Sequence, residues 1–154
     1  MKNEIKNQSF NENVNGSNNN EYKKQFVVFK IETQEFGVDI KDVLTIERMA
    51  TITRVPNANE YIHGIINLRG EIITILNLGK KLCLQVNLEN EESRIVILKT
   101  DSNSIGFTVD YVSEIIQLAE KDIEKVSQQD SDLLSGIGKL EDRIICLLNT
   151  NKLA

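Results

Sequence analysis

GIINLRGEIITILNL, residues 64 to 78, is the stretch from which the fold can be read. Two runs of alternating apolar residues flank a polar turn, NLRG, with Arg69 at its tip and Gly70 after it. A period of two marks half-buried strands, and a short polar turn between two such runs marks a hairpin. The same pattern recurs on both sides. QFVVFKIE and EFGVDI read as a hairpin with TQ as its turn, and RIVILKT and SIGFTVD as another around the loop DSNS. KDVLTIERM begins as a helical turn and passes into a strand. VSEIIQL and RIICLLNT read as further strands, while AEKDIEKV and LNLGKKL are the helical-turn candidates. Short strands at regular spacing point to small barrels rather than to an α/β sheet.

An internal repeat sharpens this reading. Residues 25–46 lie over residues 94–115 at an offset of 69 without a gap, so that Lys30 meets Lys99, Gly37 meets Gly106, Val43 meets Val112 and Ile46 meets Ile115. GIINLRGEIITILNLGK (64–80) lies over GIGKLEDRIICLLNTNK (136–152) at an offset of 72, with eight of 17 positions identical. Glycines and polar residues align as well as apolar ones, so the chain holds two copies of one five-strand-sized β unit, at about 25–80 and 94–152. Units of some 60 residues are small for independent stability. The two are expected to pack together, with a groove between them as the binding place. The copies share the apolar frame of the hairpin but not its turn: Asn67, Arg69 and Gly70 face Lys139, Glu141 and Asp142. The frame therefore does not require an arginine, which favours a binding role for Arg69. The alternative is a solvated arginine paired with Glu71.

Composition narrows the function. The chain has 154 residues and a formal net charge of -5, and 5% of its residues are aromatic. Such a chain has no general attraction for phosphate backbones and little means of stacking on bases, so nucleic acid is not the expected partner. Residues 1–22 are asparagine-rich and scarcely periodic and read as a disordered tail before a folded unit at 23–154. No run is long enough to span a membrane and the N-terminus lacks the apolar core of a secretory signal, so a cytoplasmic protein is expected. Cys83 and Cys146 form no CxxC pair and read as buried reduced thiols.

Catalytic equipment is sparse. His63 is the one histidine, which excludes histidine clusters for metal, and no nucleophile-elbow motif accompanies it. It reads as a turn residue before Gly64. P-loop and GxGxxG motifs are absent, and the GIG at 136–138 reads as a turn. DSNSIG (101–106) fails as a calcium loop, because Ile105 takes a ligand position and Val112 stands in place of the closing Glu. The run 122–132 reads as a solvated acidic loop. These readings together indicate a binding module, with no enzyme activity, no metal and no cofactor expected. On residues alone, a small-barrel ligand or nucleic-acid binder remains the alternative.

At EFGVDIKDVLTI, VPNANEYIHGIINLRGEIITILNL, IGFTVDYVSEI and the terminal GIGKLEDRIICLLNTNKL, the chain resembles the CheW-type chemotaxis coupling proteins over residues 24–154. That resemblance implies an all-β fold of two packed, interlocked SH3-like five-stranded barrels with short helical turns. It implies a non-enzymatic adaptor that joins a chemoreceptor's cytoplasmic helical hairpin tip to the regulatory domain of the chemotaxis histidine kinase. Recruitment to membrane receptor arrays follows, without membrane insertion. Carried over by position, Arg69 and Asn67 of the turn, with Val112 and Ile115, are the expected receptor contacts. Val43, Thr45 and Ile46 are the expected kinase contacts. The two faces are interchangeable on this argument, and plain core packing is the alternative for the four apolar residues. The chain departs from the family at Asn59 and Thr74, where proline is frequent, at Asn77, where aspartate is, and at Thr45, where an acidic residue is common.

Overall fold

A computed structural model of the chain describes residues 22–101, 104–126 and 133–153. The expected tail, 1–22, lies outside the described residues except for Tyr22, and so do residues 127–132 of the expected acidic loop. The strands are β1 (Lys23–Ile31), β2 (Gln34–Asp39), β3 (Val43–Arg48), β4 (Ile62–Leu68), β5 (Glu71–Leu76), β6 (Arg94–Lys99), β7 (Ser104–Val109), β8 (Tyr111–Ala119), β9 (Ile123–Lys125), β10 (Leu134–Leu140) and β11 (Arg143–Leu148), of which β9 and β10 fall where turns were expected. One short helix, α1 (Leu78–Lys81), is capped by the Asn77 side chain, which accepts from Lys80 N at 3.0 Å. The first hairpin turns one residue earlier than TQ, at Glu32–Thr33, with Glu32 left-handed at φ 57. The helical turn read in AEKDIEKV is a single 3-10 turn, Glu120–Asp122, that leads into β9.

The strands form two sheets, ordered β9-β10-β11-β2-β1-β8 (barrel A) and β3-β6-β7-β5-β4 (barrel B). Neither sheet is made from one repeat copy. The β1–β2 hairpin of the first copy pairs in parallel with β11 of the second, through Phe36 and Cys146. The β6–β7 hairpin of the second copy pairs in parallel with β5 of the first, through Ile75 and Gly106. Each copy thus lends its first hairpin to the other's barrel. Barrel A curls closed because β8 continues through the 3-10 turn into β9, which pairs with β10. Barrel B closes where Thr53, beyond β3, exchanges backbone hydrogen bonds of 2.9 and 2.8 Å with Ile65 of β4.

The exchange explains why QFVVF and RIVIL are continuous apolar runs rather than alternating ones. One face of β1 and of β6 fills its own barrel: Phe26 and Val28 pack with Ile116, Leu118, Ile145 and Leu147, and Ile95 and Ile97 pack with Ile66, Ile73 and Ile75. The opposite face, through Val27, Phe29, Val96 and Leu98, enters a central cluster between the sheets, with Phe36 and Phe107. Phe29 lies 5.8 Å from Phe36 and 5.3 Å from Phe107, centroid to centroid. Strands buried on both faces lose the alternation that a half-exposed strand keeps. The matched glycines also find their reason here. A Cβ on Gly106 would stand 2.8 Å from Ile97 Cδ1, and one on Gly37 would stand 3.0 Å from Leu147 Cδ2, so each copy needs a bare backbone at that point in the barrel interior.

Three smaller expectations are corrected. Gly136–Gly138 is strand, not turn: it lies in β10, where Gly136 approaches the Glu124 carbonyl of β9. His63 lies within β4, at a register shift between Ile62 and Gly64, rather than in a turn. Cys83 is exposed, since it follows α1 in a left-handed conformation (φ 61) that ends the helix; Cys146 is half-buried against the central cluster, and that burial pushes its thiol pKa up.

Candidate functional site

Each barrel has a hairpin end and an opposite, open end. At the hairpin end of barrel B the β4–β5 turn is two residues long, with Arg69 at φ 52 and Gly70 at φ 89. Two consecutive positive φ values match the right-handed twist of the flanking strands. Asn67 Oδ1 accepts from Gly70 N at 2.9 Å, so this expected receptor contact uses its side-chain oxygen to hold the turn. Arg69 points across the barrel opening: its Nη1 lies 3.5 Å from Glu47 Oε2 on β3, the opposite edge of the sheet. Thr45 Oγ1 donates to the same Glu47 oxygen at 2.8 Å. The carboxylate beside Arg69 is therefore Glu47, not Glu71. Curling the sheet is what brings the β4–β5 turn to β3. Arg69 is 73% exposed, and a single exposed contact of this kind is worth about 0–1 kcal/mol. It orients the guanidinium while leaving most of its donors open.

The structure therefore joins Arg69 to Thr45 through Glu47. Sequence reasoning missed Glu47; the signal was its match to Ile116, a buried barrel-interior position in the second copy. A carboxylate in such a place needs partners, and it finds a hydroxyl and a guanidinium.

The apolar candidates divide. Val43 and Val112 are half-buried and pack against the central cluster, so they act chiefly as frame. Ile46 and Ile115 are exposed. Two further exposed isoleucines, Ile72 (59%) and Ile144 (62%), accompany them on β5 and β11. They are repeat-equivalent, and parity could have revealed them: Ile73 and Ile75 point inward, so Ile72 points out. Val112 and Ile115 lie on β8 of barrel A, while Arg69 and Asn67 lie on barrel B. Each barrel thus exposes two isoleucines, Ile46 and Ile72 in barrel B and Ile115 and Ile144 in barrel A.

The expected groove between the barrels is occupied by core. Phe29, Phe36, Phe107 and Leu153 fill the space between the sheets. The open clefts are instead at the ends away from the hairpin turns, about 520 Å³ in barrel A and about 790 Å³ in barrel B. Among the described residues no three His, Cys, Asp or Glu side chains are grouped to hold a metal ion.

Comparison with known proteins agrees with this architecture. The CheW-like domain profile matches residues 25–154. The chemotaxis protein CheW of Helicobacter pylori is 31% identical over 137 residues, covering 87% of this chain and 83% of that protein. The CheW of Thermotoga maritima is 31% identical over 134 residues, covering 84% and 88%. Among solved structures, the scaffolding protein TtCheW from Thermoanaerobacter tengcongensis superposes with a TM-score of 0.76 at 34% identity, covering 83% of this chain and 90% of that one.

Proposed function

The chain belongs to the CheW-like family, and on that premise we propose that it links a chemoreceptor's cytoplasmic helical tip to the chemotaxis histidine kinase without catalysing a reaction itself. It is a chemotaxis coupling adaptor. The observation that carries the finer reading is the hairpin end of barrel B: an exposed arginine held across the opening by Glu47, in a barrel that also exposes Ile46 and Ile72. A guanidinium left open by so light a latch suits the polar flank of a helix, where its planar fork meets a carboxylate or a carbonyl. The exposed isoleucines, Ile115 toward the receptor and Ile46 toward the kinase, supply buried area to each contact.

In this reading Arg69, with Asn67 setting its turn, contacts the receptor together with Ile115 of barrel A, and Val112 supports that strand from beneath. Thr45 and Ile46 contact the kinase, with Val43 as their support. Glu47 touches both sets, so a receptor contact that draws Arg69 away changes the surroundings of Thr45. A receptor state can shift the kinase only through such a difference in binding. Each contact is small, and assembly at membrane arrays raises their combined strength by linking several contacts. No helix among the described residues is long and apolar enough to cross a membrane.

The test is Arg69→Glu in a reconstituted receptor–kinase assay. The variant is expected to melt within about 1 kcal/mol of the natural protein, given the small worth of an exposed pair, and to lose kinase activation. Full activation by the folded variant would remove Arg69 from the coupling surface.

A further inference from the structure

The cleft at the open end of barrel B has no part in the reading above. Its apolar wall includes Met49, Ile52 and Leu88, and its basic side chains are Arg54, His63 and Lys80. Lys80 has a partner, Glu60, at 3.3 Å, in a pair whose side chains are 48% and 65% exposed. Arg54 is exposed and has no ion pair among the described residues. Two cations against one carboxylate give this cleft a positive character on a chain whose formal charge is -5.

The barrel frame does not require that character. The repeat-equivalent cleft of barrel A has Ser135 in place of His63, and its lining sets two lysines, Lys24 and Lys125, against Asp39, Asp42 and Glu120. Equivalent clefts of opposite balance on one frame mark the net positive character, like Arg69, as an addition to the fold.

The His63 ring adds direction. Its Nδ1 is shut off from solvent and has no hydrogen-bond partner. A proton placed there would be an unmet buried donor, so the neutral ring carries its proton on Nε2. Burial first, and then the charge of Arg54, hold its pKa below the ordinary histidine value, so the ring is neutral near pH 7. Nε2–H is then the polar group the ring has left to offer, in a cleft that Arg54 also lines.

We propose that this cleft docks an acidic segment of a partner polypeptide, its carboxylate held by Arg54 and the His63 ring N–H and its neighbouring apolar side chain seated on Met49, Ile52 and Leu88. Charge complementarity selects the carboxylate, and the apolar wall selects a peptide over a free small anion.

Because His63 is the one histidine of the chain, its ring Cε1–H NMR signal is an unambiguous reporter in the full-length protein. The probe is the blocked tripeptide acetyl-Leu-Glu-Leu-amide, with acetyl-Leu-Gln-Leu-amide and acetate as controls. A saturable shift with the Glu peptide is expected, with a weaker response to the Gln peptide and to acetate. Arg54→Ala should weaken binding of the Glu peptide about tenfold, the scale of one charge-assisted hydrogen bond. No saturable shift, equal shifts from the Glu and Gln peptides, an equal shift from acetate, or an unaffected Arg54→Ala variant would each overturn the proposal. The measurement needs neither kinase nor receptor, so its failure leaves the role given to Arg69 standing.

Discussion

At the hairpin end of barrel A, Arg143 reaches two carboxylates at once: Nη2 to Glu35 Oε1 at 2.7 Å and Nη1 to Glu114 Oε2 at 2.8 Å, with its side chain 32% exposed. At the same end of barrel B, Arg69 reaches one carboxylate at 3.5 Å and is 73% exposed. The repeat accounts for the difference. Glu71 stands where Arg143 does, and Thr45 and Ser104 stand where Glu114 and Glu35 do, so barrel B lacks the clamp. One arginine is spent within the fold, joining β11 to β2 and β8. The other is latched lightly and stays open to a partner. In the proposed reading, the two arginines divide stability and recognition between them.

That division can be tested, from the largest effect to the smallest. Gly64 and Gly136 are equivalent, but a Cβ would stand 2.3 Å from the Thr53 carbonyl oxygen at Gly64 and 3.0 Å from the Glu124 carbonyl oxygen at Gly136. Gly64→Ala should cost about 3 kcal/mol and Gly136→Ala about 1 kcal/mol, as overpacking against backbone does. At roughly 2–4 °C per kcal/mol the two melting temperatures separate clearly. Equal losses would mean that barrel B closes no more tightly than barrel A at the Thr53–Ile65 bridge.

Arg143→Met should cost about 2 kcal/mol at neutral pH, a charge-assisted pair discounted for partial exposure. This loss depends on pH. Arg143's hydrogen bonds hold the Glu35 carboxyl below its ordinary pKa, against the opposing pull of partial burial. The unfolded chain therefore takes up this proton first as the pH falls. The clamp's contribution is complete above the unfolded carboxylate pKa of about 4.3 and is lost as the pH falls through the lower folded value. Melting curves of the natural protein and the variant should converge in acid. A gap that persisted there would place the loss in packing rather than in the ion pair.

Glu47→Gln is the smallest structural change and the sharpest functional one. Stability should move by about 0.5 kcal/mol or less, the usual scale of an exposed pair. Kinase activation in the reconstituted assay should change, because Arg69 is then unlatched from β3. An unchanged response would leave Glu47 a passive neighbour.

Much of this was legible in the residues. Alternation in GIINL and EIITIL placed the hairpin, the asparagine and glycine of NLRG placed its turn, and the repeat matched Gly37 to Gly106 before any clash was seen. Arg69 stood out because its counterpart is Glu141. What was not legible depended on distance along the chain. Glu71, two residues from Arg69, was the partner in the alternative of a solvated arginine, but the carboxylate that meets it is Glu47 on another strand. The groove expected between the barrels is core, since two strands, β1 and β6, bury both faces there.

The sequence by itself determined the strands and the repeat, because apolar period and turn residues are local properties. Only the tertiary structure decided that each copy's first hairpin completes the other copy's barrel. That choice rests on the parallel pairings of β2 with β11 and β5 with β7, whose partners lie more than 30 residues apart. No local pattern specifies such a pairing. It is settled by burying β1 and β6 on both faces, which in turn sets which sheet edges meet and which arginine is left exposed.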